Sequence, residues 1–442
     1  MNKKENKISK EIRINKKSAR RNYSNQTGIT LIALVVTIVV LLILAGVSLN
    51  AIFSENGIIK RAQDAQNKMD QATQNDLDSI NELNNWIDGK INGTTGGGTT
   101  GGDANPSTTQ KISTLVGKVV DKNTKAEDAY GNKITIPKGF KVVAHGTVAG
   151  SATYTYSGDN IPAVQDGIVI ENGTDGNQFV WVPVGTIKNK NNTTNTITLG
   201  RYEFDSNTGA LKSTTPAQVA SVENCTQAVK IDSYYQELST SRGGNSAEDS
   251  TAQNATARNL EEFISTTLAN GGYYIARFEA SGTASKVTSK YDQTVLTNIT
   301  QPNAAKAARE MYGEIKENNK LVYASDLVNS YAWDTAIIFI QTYSGKTDYA
   351  SHNESKTTKA FTATGKNNDK YCNIFDMSGN ASEWTTEYST NSDGSIFNPC
   401  VLRGGYYDTD GGRAHDCTSD RGIDYTIISY SNLGLRPLLY VK

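Results

Sequence analysis

The sequence predicts an α+β protein: a long N-terminal transmembrane and stalk α-helix, a flexible linker, then a β-rich head. Three observations predict it. An unbroken apolar run follows a basic amino end, a Gly/Thr tract follows the helical periodicity, and alternating apolar runs bounded by turn residues come next. At 442 residues the chain exceeds one ordinary core, so two or three folding units are expected.

Residues 1–28 form a basic leader, with Lys3, Lys4, Lys7, Lys10, Arg13, Lys16, Lys17, Arg20 and Arg21 against only Glu5 and Glu11. After Gly28 comes ITLIALVVTIVVLLILAGVSL, starting at Ile29. That run approaches the roughly 20 apolar residues a helix needs to cross a bilayer. Its basic flank should stay in the cytoplasm, which predicts a single-pass protein of the cell membrane with the head outside. A secretory signal would place its small residues after the apolar core, and here Gly28 precedes it. Ile59, Ala62, Ala65, Met69 and Ala72, then Ile80, Leu83 and Ile87, continue the helical spacing, so the transmembrane and stalk helix is expected over 29–88.

This order resembles the type IV prepilin signal. The resemblance implies cleavage by a prepilin peptidase between Gly28 and Ile29, methylation of the new amino terminus, and other pilins and a pilus as surroundings. The family has Glu at the fifth mature position, where this chain has Ala33. In the family that acid pairs with a neighbour's terminal amine inside the filament core, where an unpaired charge is costly. Ala33 therefore fits a minor or tip subunit, or a plain membrane anchor, better than a major repeating one.

Residues 89–110, GKINGTTGGGTTGGDANPSTTQ, offer no side chains for a core and read as a linker. The head is expected in two stretches. Over 111–264 it is β-rich, with a turn at Pro137-Lys138-Gly139, a hairpin over 167–184 around Asn172-Gly173 and Asp175-Gly176, and a polar insertion over 205–262. Over 265–442 it has a strand in GGYYIARFEAS and helices over 303–317 and 332–342, the latter with Trp333, Ile337 and Ile340 on one face.

The totals exclude several classes. A net charge of −1 with 20% charged residues argues against nucleic acid as a partner. The four cysteines, Cys225, Cys372, Cys400 and Cys417, are too few for a disulfide scaffold and leave three pairings open. His145, His352 and His415 lack metal-ligand spacing, and there is no nucleophile elbow or phosphate loop. No catalytic constellation is legible, so the chain is not expected to be an enzyme.

The blocks NIFDMSGNASEWTTEYST, VLRGGYYD and SNLGLRPLLYV, in this order, resemble the formylglycine-generating-enzyme-like branch of the C-type-lectin fold, the sulfatase-modifying-factor domain. The resemblance covers 265–442 and implies a C-type-lectin-like head. It does not bring the oxidase chemistry, because the positions of that enzyme's two copper-binding cysteines hold Thr409 and Ala414. It also implies a structural calcium ion on Asp376, Glu383 and the carbonyls of Gly379 and Ala381, a hard oxygen set suited to Ca²⁺. The same residues would equally serve to hydrogen-bond a tight turn. No cofactor is otherwise required.

From Val401 to Val441 the chain has no Lys, Glu, Gln, Trp or Met. Its Tyr, Asp, Ser, Thr, Gly, Arg and Ile are what Asn-type codons yield when their adenines are replaced. This resembles the variable proteins of diversity-generating retroelements. That resemblance implies a ligand-facing surface over 406–432, from Tyr406, Tyr407, Asp408, Asp410, Arg413, His415, Asp416, Thr418, Asp420, Asp424, Tyr425, Ser429 and Tyr430. Arg403, Gly404, Gly405, Gly434, Arg436 and Pro437 would be fixed framework. Tyrosines supply rigid contact area at low entropic cost. The expectation is a pilin-like adhesin or recognition protein for a cell-surface, phage or matrix ligand. The alternatives are a surface enzyme using Cys417 with Cys372 or Cys400, and an inert minor pilin.

Overall fold

The computed structural model describes residues 109–143, 163–213, 229–230, 233–237, 253–354, 361–391, 395–396, 398–407 and 417–442. By compactness the chain divides into Met1–Ser107 and Thr108–Lys442. The leader, the cleavage pair Gly28 and Ile29, the helix over 29–88 and nearly all of the linker lie outside the described residues.

The apolar alternation of the head becomes a seven-stranded sheet. Its strands are β1 (Phe140–Val142), β2 (Val169–Asn172) and β3 (Gln178–Pro183), then β6 (Gly272–Ala276), β7 (Glu314–Glu317), β8 (Lys320–Leu327) and β13 (Pro437–Val441), in the order β7-β8-β13-β6-β3-β2-β1. A second sheet holds β4 (Val229–Lys230), β5 (Ser233–Gln236), β9 (Ser382–Asn391), β10 (Cys400–Arg403), β11 (Gly422–Asp424) and β12 (Leu433–Leu435).

The central strands are apolar on both faces because both faces are covered. Val180, Val182, Tyr273, Ile275, Leu438 and Tyr440 point into a core with Trp333 and Ile337. Phe179, Trp181, Tyr274, Ala276, Leu439 and Val441 alternate into a core with Ile134, Ile136 and Phe140. Period two thus sends successive side chains to opposite faces, and each face finds a partner layer. The β2–β3 hairpin forms as the sequence predicts, its turn fixed by Asn172 Oδ1 accepting from Thr174 N at 2.9 Å.

Three α-helices occur among the described residues. The first, α1 (Leu260–Asn270), starts where Asn259 accepts from Glu262 N and stops at Gly271, whose φ of 74° suits glycine. The polar insertion expected over 205–262 therefore ends in the start of a helix. The second, α2 (Gln301–Tyr312), has Pro in its first turn and ends at Gly313, φ 63°. The expected helix 303–317 is cut there, because Glu314–Glu317 pairs antiparallel with β8. The third, α3 (Ser330–Tyr343), is capped by Asn329 and buried along most of its length.

The predicted fold class and location need correction. The described residues are mainly β, and their helices are only 11, 12 and 14 residues long. No helix among the described residues is long and apolar enough to cross a membrane, which overturns the α+β description led by a transmembrane helix and the single-pass cell-membrane placement. The apolar run at 29–49, which supplied both expectations, lies outside the described residues.

The second sheet carries the C-terminal blocks. Its order is β11-β10-β9-β5-β4, with β12 pairing β9 in parallel through Ser382↔Leu433 and Trp384↔Leu435. The segment between β10 and β13 therefore leaves one sheet, returns to it twice, and ends in the middle of the other.

Candidate ligand-binding face

The start of β9 is the point from which the candidate surface hangs. Asn380 and Ala381 lie in the turn just before it, and both are buried. Asn380 takes a φ of 61°, a left-handed conformation that asparagine tolerates better than most residues. Beneath them the buried Glu279 accepts from Asn380 Nδ2 at 2.6 Å and from Ala381 N at 2.9 Å. Burial first, then the neighbouring Asp376 and Glu383, push the Glu279 carboxyl well above the usual range.

Asn380 joins two separate stretches of chain. Its Oδ1 accepts from Thr362 N at 2.8 Å, and its backbone carbonyl accepts from Tyr407 N at 3.1 Å. Phe361 and Tyr407 are brought together as a result, with ring centroids 5.2 Å apart, and Tyr406 stands 6.4 Å from Tyr407. Two residues on, Ser382 N donates to Asn432 O at 2.9 Å, which ties in the loop bearing Tyr430. Ile427 and Tyr430 are exposed, and Ser429 with them.

Gly404 makes the approach to this turn feasible. Gly379 N donates to its carbonyl at 2.7 Å, its φ is 93°, and a Cβ there would meet Met377 O at 3.0 Å.

The segment expected to face ligand is divided. Tyr406, Tyr407, Asp420, Asp424 and Tyr425 are half-buried, whereas Ser429 and Tyr430 are exposed. Asp408, Asp410, Arg413, His415 and Asp416 lie outside the described residues. Thr418 departs from expectation: it is fully buried, its N and Oγ1 donate to His352 O, and its carbonyl accepts from Trp333 Nε1 at 2.9 Å. Spacing alone could not show this, because His352 and Trp333 are far away in sequence.

Arg421 is likewise inside, in an ionic cluster. It donates to Glu387 from Nε at 2.9 Å and to Asp334 from Nη2 at 2.6 Å. Arg403 also pairs with both acids, and Arg201 pairs with Glu387. Burial would raise Glu387, but Arg421, Arg201 and Arg403 outweigh it and hold the carboxyl at about 2. The stretch 417–421 is thus a buried strap between displayed parts. Arg403 and Arg436 are both buried framework.

Of the implied calcium set, Glu383 is otherwise engaged. Both Glu383 oxygens accept from Arg436, at 2.7 and 2.9 Å, and Arg436 also donates to the carbonyls of Ala276, Phe375 and Asp376. Asp376 Oδ2 accepts from Gly365 N, while its Oδ1 is buried with no hydrogen-bond partner. A bidentate guanidinium supplies at Glu383 the positive charge an ion would bring. Among the described residues no group of three or more His, Cys, Asp or Glu could hold a metal ion. As arranged, the Glu383 carboxyl is taken up by Arg436 and does not fit calcium.

Burial raises the Cys372 and Cys417 thiols. Cys417 Sγ lies 3.7 Å from Ser419 Oγ, and burial with the nearby Asp420 pushes its thiol up to about 12. An activated cysteine is shifted the other way. His352 is paired with Glu354 at 2.9 Å.

Sequence reasoning missed Glu279, Asn380, Phe361 and Arg421. Only Phe361 carried a signal, as the lone large apolar residue in the stretch SKTTKAFTATGK.

No family model matches the chain, and none of the curated proteins does. Among solved structures it is similar to CarF, at 15% identity and a TM-score of 0.27, over 48% of this chain and 99% of that one. It is similar to Treponema denticola variable protein 1 at 10% identity and TM-score 0.30, over 61% and 97%. It is similar to the P3c variant of Major Tropism Determinant at 14% identity and TM-score 0.26, over 75% and 98%. At these TM-scores the likeness carries no argument.

Proposed function

We propose that the chain is a recognition protein whose C-type-lectin-like head binds an external ligand through the face around Tyr406, Tyr407, Tyr425, Ser429 and Tyr430, and that this face is diversified. The observation that supports it is the division of labour within 401–441. Framework side chains (Arg403, Thr418, Arg421, Arg436) are buried in ion pairs and hydrogen bonds, while tyrosine and serine side chains between them reach the surface. A surface of this kind can change its contact residues while its anchors keep the backbone in place.

The ligand class is a cell-surface, phage or matrix component. Sequencing the 3′ end of the gene across a population of source cells tests the reading. Substitutions should fall at adenine positions in the codons for Tyr406, Tyr407, Tyr425, Ser429 and Tyr430, and should spare those for Arg403, Thr418, Arg421 and Arg436. Uniform sequence at the displayed codons would refute diversification.

A further inference from the structure

We infer that the head carries a second binding site, a polar cleft that takes a pyranose sugar and is separate from the face proposed above. The cleft has a volume of about 430 Å³ and is lined by Gln165, Asp166, Tyr343, Lys370, Tyr371 and Asn373 among others. That volume lies within the range of roughly 300–1,000 Å³ usual for small-molecule sites. None of its lining residues falls within 401–441, so changes in that stretch leave the lining as it is.

The walls are set in advance. Asn373 Nδ2 donates to the carbonyls of Asp166 and Gly167, at 2.9 Å each, and Arg277 Nε donates to Asn373 O at 3.2 Å. Gly167 comes so close that a Cβ there would lie 1.8 Å from Cys372 O. Cys372, which also lines the cleft, and Asn373 hold left-handed backbone at φ 47° and 64°. Two such residues in a row are strained, and strain of this kind collects at functional sites. On the other wall, Asn189 Oδ1 accepts from Gln165 Nε2 at 2.7 Å and from Tyr343 OH at 3.2 Å. Lys190 Nζ holds both Asp166 oxygens, at 2.7 and 2.8 Å. Tyr343 and Tyr371 are half-buried, and each leans on a further ring, Phe339 at 5.7 Å and Tyr349 at 5.1 Å.

The lining selects the ligand class. A pyranose presents C–H groups on its broad face and hydroxyls, each both donor and acceptor, around its rim. Tyrosine rings take the first, and neighbouring carboxylate, amide and ammonium groups take the second. Here the rings come from Tyr343 and Tyr371, acceptors from Asp166, donors from Lys370, and groups able to do either from the two tyrosine hydroxyls. A wholly apolar ligand would strip these groups of water and return no bonds. An amine would find the Asp166 carboxylate already neutralised by Lys190.

The test titrates the purified full chain with maltose, cellobiose, lactose and chitobiose by saturation-transfer NMR, with L-glutamate and L-lysine as rival ligands. At least one disaccharide should saturate. Its Kd should rise roughly tenfold or more in Asp166→Asn, which loses a charged acceptor. It should rise as well in Tyr371→Ala, which loses a ring face, whereas Tyr371→Phe should keep most of the binding and so separate lost contact from lost fold. Tyr430→Ala, on the proposed face, should leave the Kd where it was. Saturation by no disaccharide, or by an amino acid alone, would overturn the inference. So would a Kd that moves with Tyr430→Ala and not with Asp166→Asn, since that sugar would sit on the displayed face. None of these outcomes bears on diversification, which the gene sequencing decides separately.

Discussion

The Glu279 carboxylate accepts a 2.6 Å hydrogen bond from Asn380 Nδ2 in the buried layer beneath Phe361 and Tyr407. Both residues are buried, and Asn380 bonds in turn to Thr362 and to the backbone of Tyr407.

Asn380→Ala should destabilise the head by about 2–4 kcal/mol, since it leaves Glu279 and Thr362 with unmade buried bonds and puts a Cβ residue without a polar side chain at positive φ. Asn380→Gly should lose the same bonds but not the conformational cost, and so be the milder variant. Urea unfolding of the two, ranked against wild type, checks this. Equal stability of all three would contradict it.

Removing Arg421 leaves Asp334 and Glu387 buried with one cation fewer, so Arg421→Met should cost about 3–5 kcal/mol. Tyr430→Ala, at an exposed site, should change stability by about 0.5 kcal/mol or less. Denaturation midpoints of the two variants would show the contrast, and a tolerated Arg421→Met would mean that 417–421 is not framework.

Asp369 gives a pH dependence with a definite sign. Its Oδ2 accepts from Tyr349 and from Ser378 N, its Oδ1 is buried without a hydrogen-bond partner, and burial raises the group to about 7. The unfolded value is about 3.9. A raised carboxyl favours the protonated folded state, so its contribution is full below about 4 and declines as pH rises through about 7. Melting temperature should therefore fall between pH 5 and pH 8, and Asp369→Asn should flatten that part of the curve. An unchanged slope in the variant would assign the effect to other groups.

Calcium should not matter to this head's stability. With Arg436 bound to both Glu383 oxygens, chelation followed by added Ca²⁺ should leave the melting temperature where it was. A rise of several degrees on adding the ion would show that Arg436 yields to it.

What could be read from the sequence was mostly local. The β2–β3 hairpin was legible because Asn172, Gly173 and Gly176 encode their own turn, and α3 was legible because its Trp333, Ile337 and Ile340 repeat at helical spacing. The end of α2 was missed because helix propensity runs on past Gly313 into residues that β8 recruits as a strand. Thr418 was misplaced for a related reason. It looks like any displayed threonine until His352 and Trp333 come to meet it. The contact of Phe361 with Tyr407 could not be read at all, since the two stretches meet at Asn380 and no local pattern links the three.

Strand β13 lies between β8 and β6 in the interior of the larger sheet, although it follows the displayed segment in the chain. During synthesis the sheet has a gap at its centre until the ribosome has passed every codon of the face. A nonsense or frameshift change in those codons removes a central strand, not a dispensable tail. Such products would fail to fold and go to degradation, so a mutational process acting on this face would be screened for reading frame before any ligand is met.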